Sequence, residues 1–346
     1  MMFLSVIIPT RNRAKYLSGA LESLTRQTYP LDMFEVLVID NGSTDNTREV
    51  CASFKNRVPQ LRYFYEETPG LHVGRHLGMK MAKSEILVYA DDDIEAFPTW
   101  LEGIADSFQN EQVVLVGGKI LPKWEKQPPD WILDMWEKKR PEGKTLGYLS
   151  ILDLGDITKM ISANIVFGCN FSIRKYVLLN AGGFHPDSMP QNLIRYRGDG
   201  ESHVSNYIEK NILKSVYNPN ASVFHYVTAE RMSKEYFFKR SYMEGISRSY
   251  TDIRSYYMNT NEKLPAVNLM PCFRLIREYA GFLICWFMKR LNIATKSKSH
   301  FDIFQIQLKI AFWKGWLFHN QNTKSDLSLY EWVIKHDYYS SYMKPS

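Results

Sequence analysis

The sequence predicts an α/β protein, a mostly parallel sheet flanked by helices over residues 1–230, followed by a helical extension over 231–346. Three observations carry this. Short apolar runs alternate with helical patterns through the first 120 residues, the signature of successive βαβ units. A chain of 346 residues exceeds what one hydrophobic core usually organises, so a large domain with an appendage is expected. Charge is also uneven: residues 1–230 hold 25 Lys and Arg against 28 Asp and Glu, whereas 231–346 hold 18 against 9. The basic excess belongs to the extension.

Leu4 to Ile8 is a continuous apolar run, as expected of a strand buried on both faces, and Lys15 to Thr28 follows with helical spacing. Strand Phe34 to Ile39 precedes helix Thr44 to Lys55, and strand Leu61 to Tyr65 precedes helix Gly74 to Ala82. Strand Ile86 to Ala90, helix Thr99 to Phe108 and strand Val113 to Val116 complete the series. In such sheets ligands bind outside the carboxyl ends of the strands, so chemistry is expected just after them. Residues 120–165, rich in Trp and Lys and broken by Pro122, Pro128, Pro129 and Pro141, read as a surface excursion or flap. From 231 onward the pattern is helical and aromatic. Its most apolar stretch, residues 279–288 between Arg277 and Lys289-Arg290, is half the roughly twenty residues a membrane-spanning helix needs.

The composition, 45% apolar and 23% charged, excludes collagen-like and disordered classes. Cys51, Cys169, Cys272 and Cys285 show no CxxC spacing, so neither a zinc site nor a disulfide framework is expected. The amino terminus lacks the cationic region of a signal peptide, and a cytoplasmic location is expected.

Three strand ends carry candidate chemistry. Asp91-Asp92-Asp93 follows the fourth strand, and adjacent carboxylates repel unless a cation neutralises them; hard divalent ions such as Mg²⁺ or Mn²⁺ fit. Asp93 is the better-placed direct ligand and Asp91 the residue facing a ribose and metal-bound water. Asp40-Asn41-Gly42-Ser43-Thr44 ends the second strand, where Asp40 either accepts from a base or ribose or merely caps a turn. Pro9-Thr10-Arg11-Asn12-Arg13 ends the first, where Arg11 or Arg13 meets either phosphate or water.

Together VIIPTRNR, VIDNGSTDNT and SEILVYADDD resemble family 2 glycosyltransferases of the GT-A fold, which move a sugar from a nucleotide-diphosphate donor. The resemblance covers residues 3 to about 250. It implies a nucleotide-sugar half at about 1–120, lined by Pro9, Thr10, Arg11, Arg13, Asp40, Asn41, Asp91 and Asp92, and an acceptor half at about 121–230. Pro69 to Gly78 is similar to the family's glycine-containing loop, which places Arg75 at the diphosphate, although His76 stands where the family usually has Asn. Phe167 to Arg174 resembles the acceptor-side segment, with Gly168 and Asn170. Asp199-Gly200-Glu201 occupies the place of the catalytic base; the pair is split by a glycine, with Asp199 favoured and Glu201 the alternative. His225 falls where many such enzymes bring a histidine to the metal, so the implied ligands are Asp91, Asp93 and His225.

The resemblance implies an inverting displacement on a saccharide or lipid-linked saccharide acceptor. Sugar transfer needs a cation at the departing diphosphate and a base at the incoming hydroxyl, and these carboxylates supply both. A sugar nucleotidyltransferase would carry a Gly-rich loop after the first strand, but residues 8–13 contain no glycine. The other alternative is a non-catalytic nucleotide-sugar-binding protein. The extension's cations and aromatics over 277–318, including Phe312, Trp313, Lys314, Trp316 and Phe318, with Lys296 and Lys298 between, suit peripheral contact with the cytoplasmic membrane face or internal packing. Nucleic acid is not an expected partner.

Overall fold

The computed structural model describes residues 1–262, 270–290 and 300–340. In chain order the elements are β1 (Leu4–Thr10), α1 (Ala14–Leu24), β2 (Phe34–Asp40), α2 (Thr47–Ser53), β3 (Leu61–Tyr65), α3 (Leu71–Met81), β4 (Ile86–Ala90), β5 (Ile94–Ala96), α4 (Trp100–Phe108) and β6 (Val113–Gly117). Next come β7 (Ile120–Trp124), α5 (Asp130–Glu137), β8 (Lys144–Leu146), β9 (Ile151–Asp153), β10 (Lys159–Ile161), β11 (Asn170–Arg174), α6 (Lys175–Asn180), α7 (Ser202–Lys210), β12 (Lys214–Tyr217) and β13 (Val223–Val227). The extension supplies α8 (Lys234–Thr260), α9 (Met270–Arg290), α10 (His300–Ser325) and α11 (Leu327–Ile334).

Eight strands form the main sheet in the order β10-β12-β6-β11-β4-β1-β2-β3. β4, β1, β2 and β3 run parallel, and every residue of β1 and β2 is buried, which is why both read as unbroken apolar runs. Successive side chains alternate faces: Val6 and Ile8 pack with Leu17, Leu21 and Trp100, whereas Ile7 packs on the other side with Met79, Tyr89 and Phe171. A Cβ on Gly78 would clash with the Ile7 side chain, so this glycine lets α3 lie close on β1 and carry Arg75 to the strand ends. The sheet is less parallel than the sequence pattern suggests, because β11 inserts antiparallel between β4 and β6.

Residues 120–165 correct a second expectation. They are not a surface excursion: β7, β8 and β9 join β5 and β13 in a second sheet of order β5-β13-β7-β9-β8. Ile120, Ile132, Trp136, Leu146, Ile151 and Leu152 are buried in the same core as β1. Pro122 sits within β7 and Pro128, Pro129 and Pro141 flank α5, where their signal outweighed the apolar positions around them.

The extension packs onto the sheet-bearing part. Phe237 of α8 and Phe304 and Leu308 of α10 join the first core, while Tyr250, Ile253, Leu329, Trp332 and Tyr338 enclose Met189 and Tyr196. α8 and α10 cross where Gly245 and Gly315 meet the opposite backbone: a Cβ on either would clash with the carbonyl of Phe312 or Tyr242. Trp316 is 2% exposed and its indole donates to Asp252 at 2.9 Å. Gly315→Val is accordingly expected to force the helices apart and cost about 1–3 kcal/mol, read as a lower urea midpoint. An unchanged midpoint would show that the crossing is looser than described.

Candidate active site

The parallel order β4-β1-β2 brings three strand ends to one edge, and the loops there are tied together. Asn12, in the left-handed region at φ 53°, accepts from the Thr44 amide at 2.7 Å, and its own amide donates to Ser43 Oγ at 2.9 Å. Asp45 accepts from the Ala14 amide at 3.1 Å and from Thr47 Oγ1 at 2.5 Å, capping the starts of α1 and α2 at once.

A cavity of about 230 Å³ opens at this edge, lined by Pro9, Thr10, Arg11, Arg13, Asn41, Gly70, Leu71, Asp91, Asp92, Asp93, Ser188 and Arg231. Thr10 donates to Asp92 at 2.7 Å, and Asn41 is held by donating to the carbonyls of Glu66 and Thr68. Asp40 does not reach the cavity. Its buried carboxylate accepts from Tyr63 at 2.6 Å and from the Ser43 amide at 2.7 Å, the turn-capping alternative.

The acidic triplet divides its work differently from the sequence-based expectation. Asp93, expected as the direct metal ligand, is buried and already neutralised: Arg13 lies 2.6 Å and Arg231 3.0 Å from Oδ2, and His225 Nε2 lies 3.3 Å from Oδ1. Although burial works against its charge, His225, Arg231 and Arg13 together hold Asp93 well below the ordinary carboxylate range. Asp92 pairs with Arg13 at 2.9 Å, and burial nevertheless pushes its carboxyl up to about 7. Arg13 therefore meets carboxylates, and only Arg11 of the two cations is exposed at the cavity. Asp91 is the open member, its side chain 34% exposed.

Asp91, Cys169 and His225 each bring one ligand atom within 4.8 Å of the others. His225 Nδ1 donates to the Leu149 carbonyl at 3.0 Å, and its Nε2 lies 3.0 Å from Arg231 Nη1 and 3.3 Å from Asp93 Oδ1. Carboxylate and imidazole suit a divalent ion. Burial, with the nearby Asp91, Asp93 and Glu201, pushes the Cys169 thiol well above its ordinary value, so it stays protonated and is the weakest donor of the three.

Arg75 is buried and bridges two regions. Its Nη2 lies 3.5 Å from Asp91, its Nη1 lies 3.5 Å from Glu201, and Nη2 donates to the Gly168 carbonyl at 3.3 Å. The Gly168 amide in turn donates to Glu201 at 3.2 Å, and a Cβ there would lie 2.5 Å from Arg75 Nη2, so the close approach requires glycine. Glu201 faces a second cavity of about 710 Å³. Its walls come from residues 135–150 and 164–167, and from α8 and α10.

Two expectations are corrected here. Asp199, favoured as the base, faces neither cavity: Oδ1 lies 2.6 Å from His185 Nδ1 and Oδ2 accepts from Thr251 at 2.7 Å. Burial pushes its carboxyl up and the His185 imidazole down, so both lean towards their neutral forms inside the packing. The left-handed Gly200, φ 56°, turns the chain so that the two acids point apart. Asn170 is also structural, accepting from the Trp100 indole and donating to the Ala221 carbonyl, both at 2.9 Å. His76 accepts from the Phe184 amide at 2.9 Å and its Nδ1 donates to Tyr338 at 3.2 Å, tying α3 to the extension.

Sequence reasoning missed Cys169, Arg231 and the cavity residues of α8 and α10. A lone cysteine carries no spacing signal, whereas Arg231, six residues beyond His225, stands close enough to that strand end to have been noticed.

The geometry therefore defines a metal-compatible strand-edge cavity joined through Arg75 to a carboxylate-bearing cavity. A model of Glycosyl transferase family 2 matches residues 5–179, and the chain belongs to this family. It is similar to Glucosyl-dolichyl phosphate glucuronosyltransferase of Haloferax volcanii, 23% identical over 73% of this chain and 78% of that protein. Over 34% of the chain it is 37% identical to Glycosyltransferase AglE of the same organism, spanning only 39% of that relative's length. Among solved structures, the mannosyltransferase PcManGT of Pyrobaculum calidifontis, in complex with GDP-Man and Mn²⁺, superimposes with TM-score 0.54 at 16% identity, covering 92% of this chain and 86% of that one. The shared fold is of the GT-A type.

Proposed function

We propose that this glycosyltransferase transfers a sugar, with inversion, from a nucleotide-diphosphate donor to a hydroxyl of a saccharide or lipid-linked saccharide, assisted by Mn²⁺ or Mg²⁺. The observation that carries the reading is the Arg75 bridge, 3.5 Å from Asp91 at the strand-edge cavity and 3.5 Å from Glu201 at the larger one. Donor and acceptor held in these cavities meet across that guanidinium. Asp91 and His225 are the residues that would hold the metal, and its chemistry would be to neutralise the departing diphosphate.

Glu201 is the base. Its Oε2 accepts the hydroxyl proton as the acceptor oxygen bonds to the anomeric carbon, and the bond to the diphosphate oxygen breaks with its electron pair leaving on phosphate. The Gly168 amide and Arg75 hold this carboxylate in place, so no rotamer search precedes proton transfer. Arg75 also sets positive charge between the Asp91 and Glu201 carboxylates. A competent enzyme is expected to release nucleoside diphosphate faster when acceptor is added; release insensitive to every acceptor tried would favour the non-catalytic or hydrolytic alternative.

The lipid-linked acceptor class is supported by the name of the glucuronosyltransferase relative, whose substrate is a glucosyl-dolichyl phosphate. Peripheral membrane contact is part of the same reading, on residues 273–284 and not on the whole of 277–318. Phe312 and Phe318 are partly buried and Trp316 is buried, the Arg274 guanidinium stacks on Trp313 at 5.0 Å, and Lys296 and Lys298 lie outside the described residues. α9 buries Pro271, Glu278 and Cys285, while Phe273, Ile276, Leu283 and Ile284 are 56–64% exposed beside Arg274 and Arg277. No helix among the described residues is long and apolar enough to cross a membrane. The cations beside this stripe complement anionic headgroups. Vesicles containing phosphatidylglycerol are expected to sediment the protein at low salt. Ile276→Glu with Leu283→Glu should reduce the bound fraction at least about tenfold; undiminished binding would contradict the assignment.

A further inference from the structure

The 710 Å³ cavity carries more positive charge than sugar transfer requires. Its wall includes Lys138 and Arg140 beyond α5, Arg240 on α8 and Lys309 on α10, against the two acids Glu201 and Glu244. Both acids are engaged: Glu201 by Arg75 and the Gly168 amide, Glu244 by Arg240 at 3.5 Å. Among the described residues no carboxylate lies within 4 Å of the charged groups of Lys138, Arg140 or Lys309. The Arg240 Nε is buried without a hydrogen-bond partner, a position that costs stability unless something from the cavity accepts from it. A neutral saccharide does not call for four cations on one wall. Guanidinium forks match the oxygens of a phosphoryl group, and lysines add unspecific attraction.

Resting on the reading of this cavity as the acceptor site, we infer that the acceptor is anionic: it bears a phosphoryl group near the hydroxyl that Glu201 deprotonates, held by Arg240 and Lys309 together with Arg140 and Lys138 of the same wall. The helical extension is then part of the specificity apparatus, since α8 and α10 supply two of the four cations. The phosphoryl group belongs either to a lipid-linked sugar or to a sugar on a phosphodiester polymer, and both offer the same chemistry to these residues.

The test uses the full chain and three acceptors bearing the same sugar: a neutral octyl glycoside, a farnesyl-phosphate-linked sugar, and an oligomer of glycerol phosphate carrying it. At least one phosphorylated acceptor is expected to show kcat/KM ten- to a hundredfold above the neutral one, chiefly through KM, as loss of one or two charged hydrogen bonds implies. The double variant Arg240→Gln, Lys309→Gln should collapse that preference towards unity. The farnesyl-phosphate arm alone exceeding the neutral one identifies a lipid source, and the oligomer alone a polymer. Equal use of all three, or a preference the double variant keeps, overturns the inference. Donor hydrolysis without acceptor is measured alongside: if it is present and Glu201-independent while the phosphoryl preference holds, the assignment of Glu201 fails and the anionic pocket stands.

Discussion

Glu201→Gln is expected to lower turnover by roughly 10² to 10⁴ while leaving the dissociation constant of the donor nearly unchanged, because a general base acts mainly in the transition state. Glutamine keeps the shape of the side chain and still accepts from the Gly168 amide through its carbonyl oxygen, so the fold should survive. Asp199→Asn makes the contrasting case. It disturbs the buried bonds to His185 and Thr251, so its effect belongs in the thermal midpoint, with turnover per folded molecule close to wild type. If Asp199→Asn carried the large kinetic loss and Glu201→Gln none, the roles drawn from the geometry would be reversed.

Removing the metal, or its open carboxylate, should be comparably severe. Asp91→Asn and dialysis against EDTA are each expected to reduce turnover at least about 10²-fold, with Mn²⁺ restoring the dialysed wild type and not the variant. Asp93→Ala is expected to behave differently, lowering the thermal midpoint as well as activity, since it leaves Arg13, Arg231 and His225 facing one another without their shared counter-charge. Full activity in EDTA would contradict the assignment of Asp91 and His225 to a metal.

Much of this was legible in the sequence because parallel strands are buried on both faces. β1, β2 and β4 announce themselves as apolar runs, and the residues immediately after each strand carry the chemistry of the sheet edge. Thus Pro9, Thr10, Arg11, Asn41 and the acidic triplet line one cavity. The features that stayed hidden depend on partners distant in sequence. That Asp93 is saturated results from Arg13, His225 and Arg231 converging on it, and no local pattern encodes that meeting. The choice between Asp199 and Glu201 turns on a single left-handed glycine and on whether His185 or Arg75 lies opposite. The second sheet was obscured because its strands β8 and β9 are three residues long, too short for a period to show. The basic wall of the larger cavity was invisible for a related reason: Arg240 and Lys309 lie on helices that read as an appendage until their packing is known.

The central claim, that the strand-edge cavity beside Asp91 takes a nucleotide diphosphate for sugar transfer, is tested most directly by a panel of nucleotide sugars with Mn²⁺, reading thermal stabilisation and nucleoside diphosphate release together. A donor at 100 times its dissociation constant stabilises the folded chain by about 2.7 kcal/mol, enough to raise the midpoint visibly. The account predicts that at least one donor both raises the midpoint and is cleaved, with both effects weakened in Asp91→Asn. A panel in which no nucleotide sugar stabilises the protein and none is cleaved would contradict it.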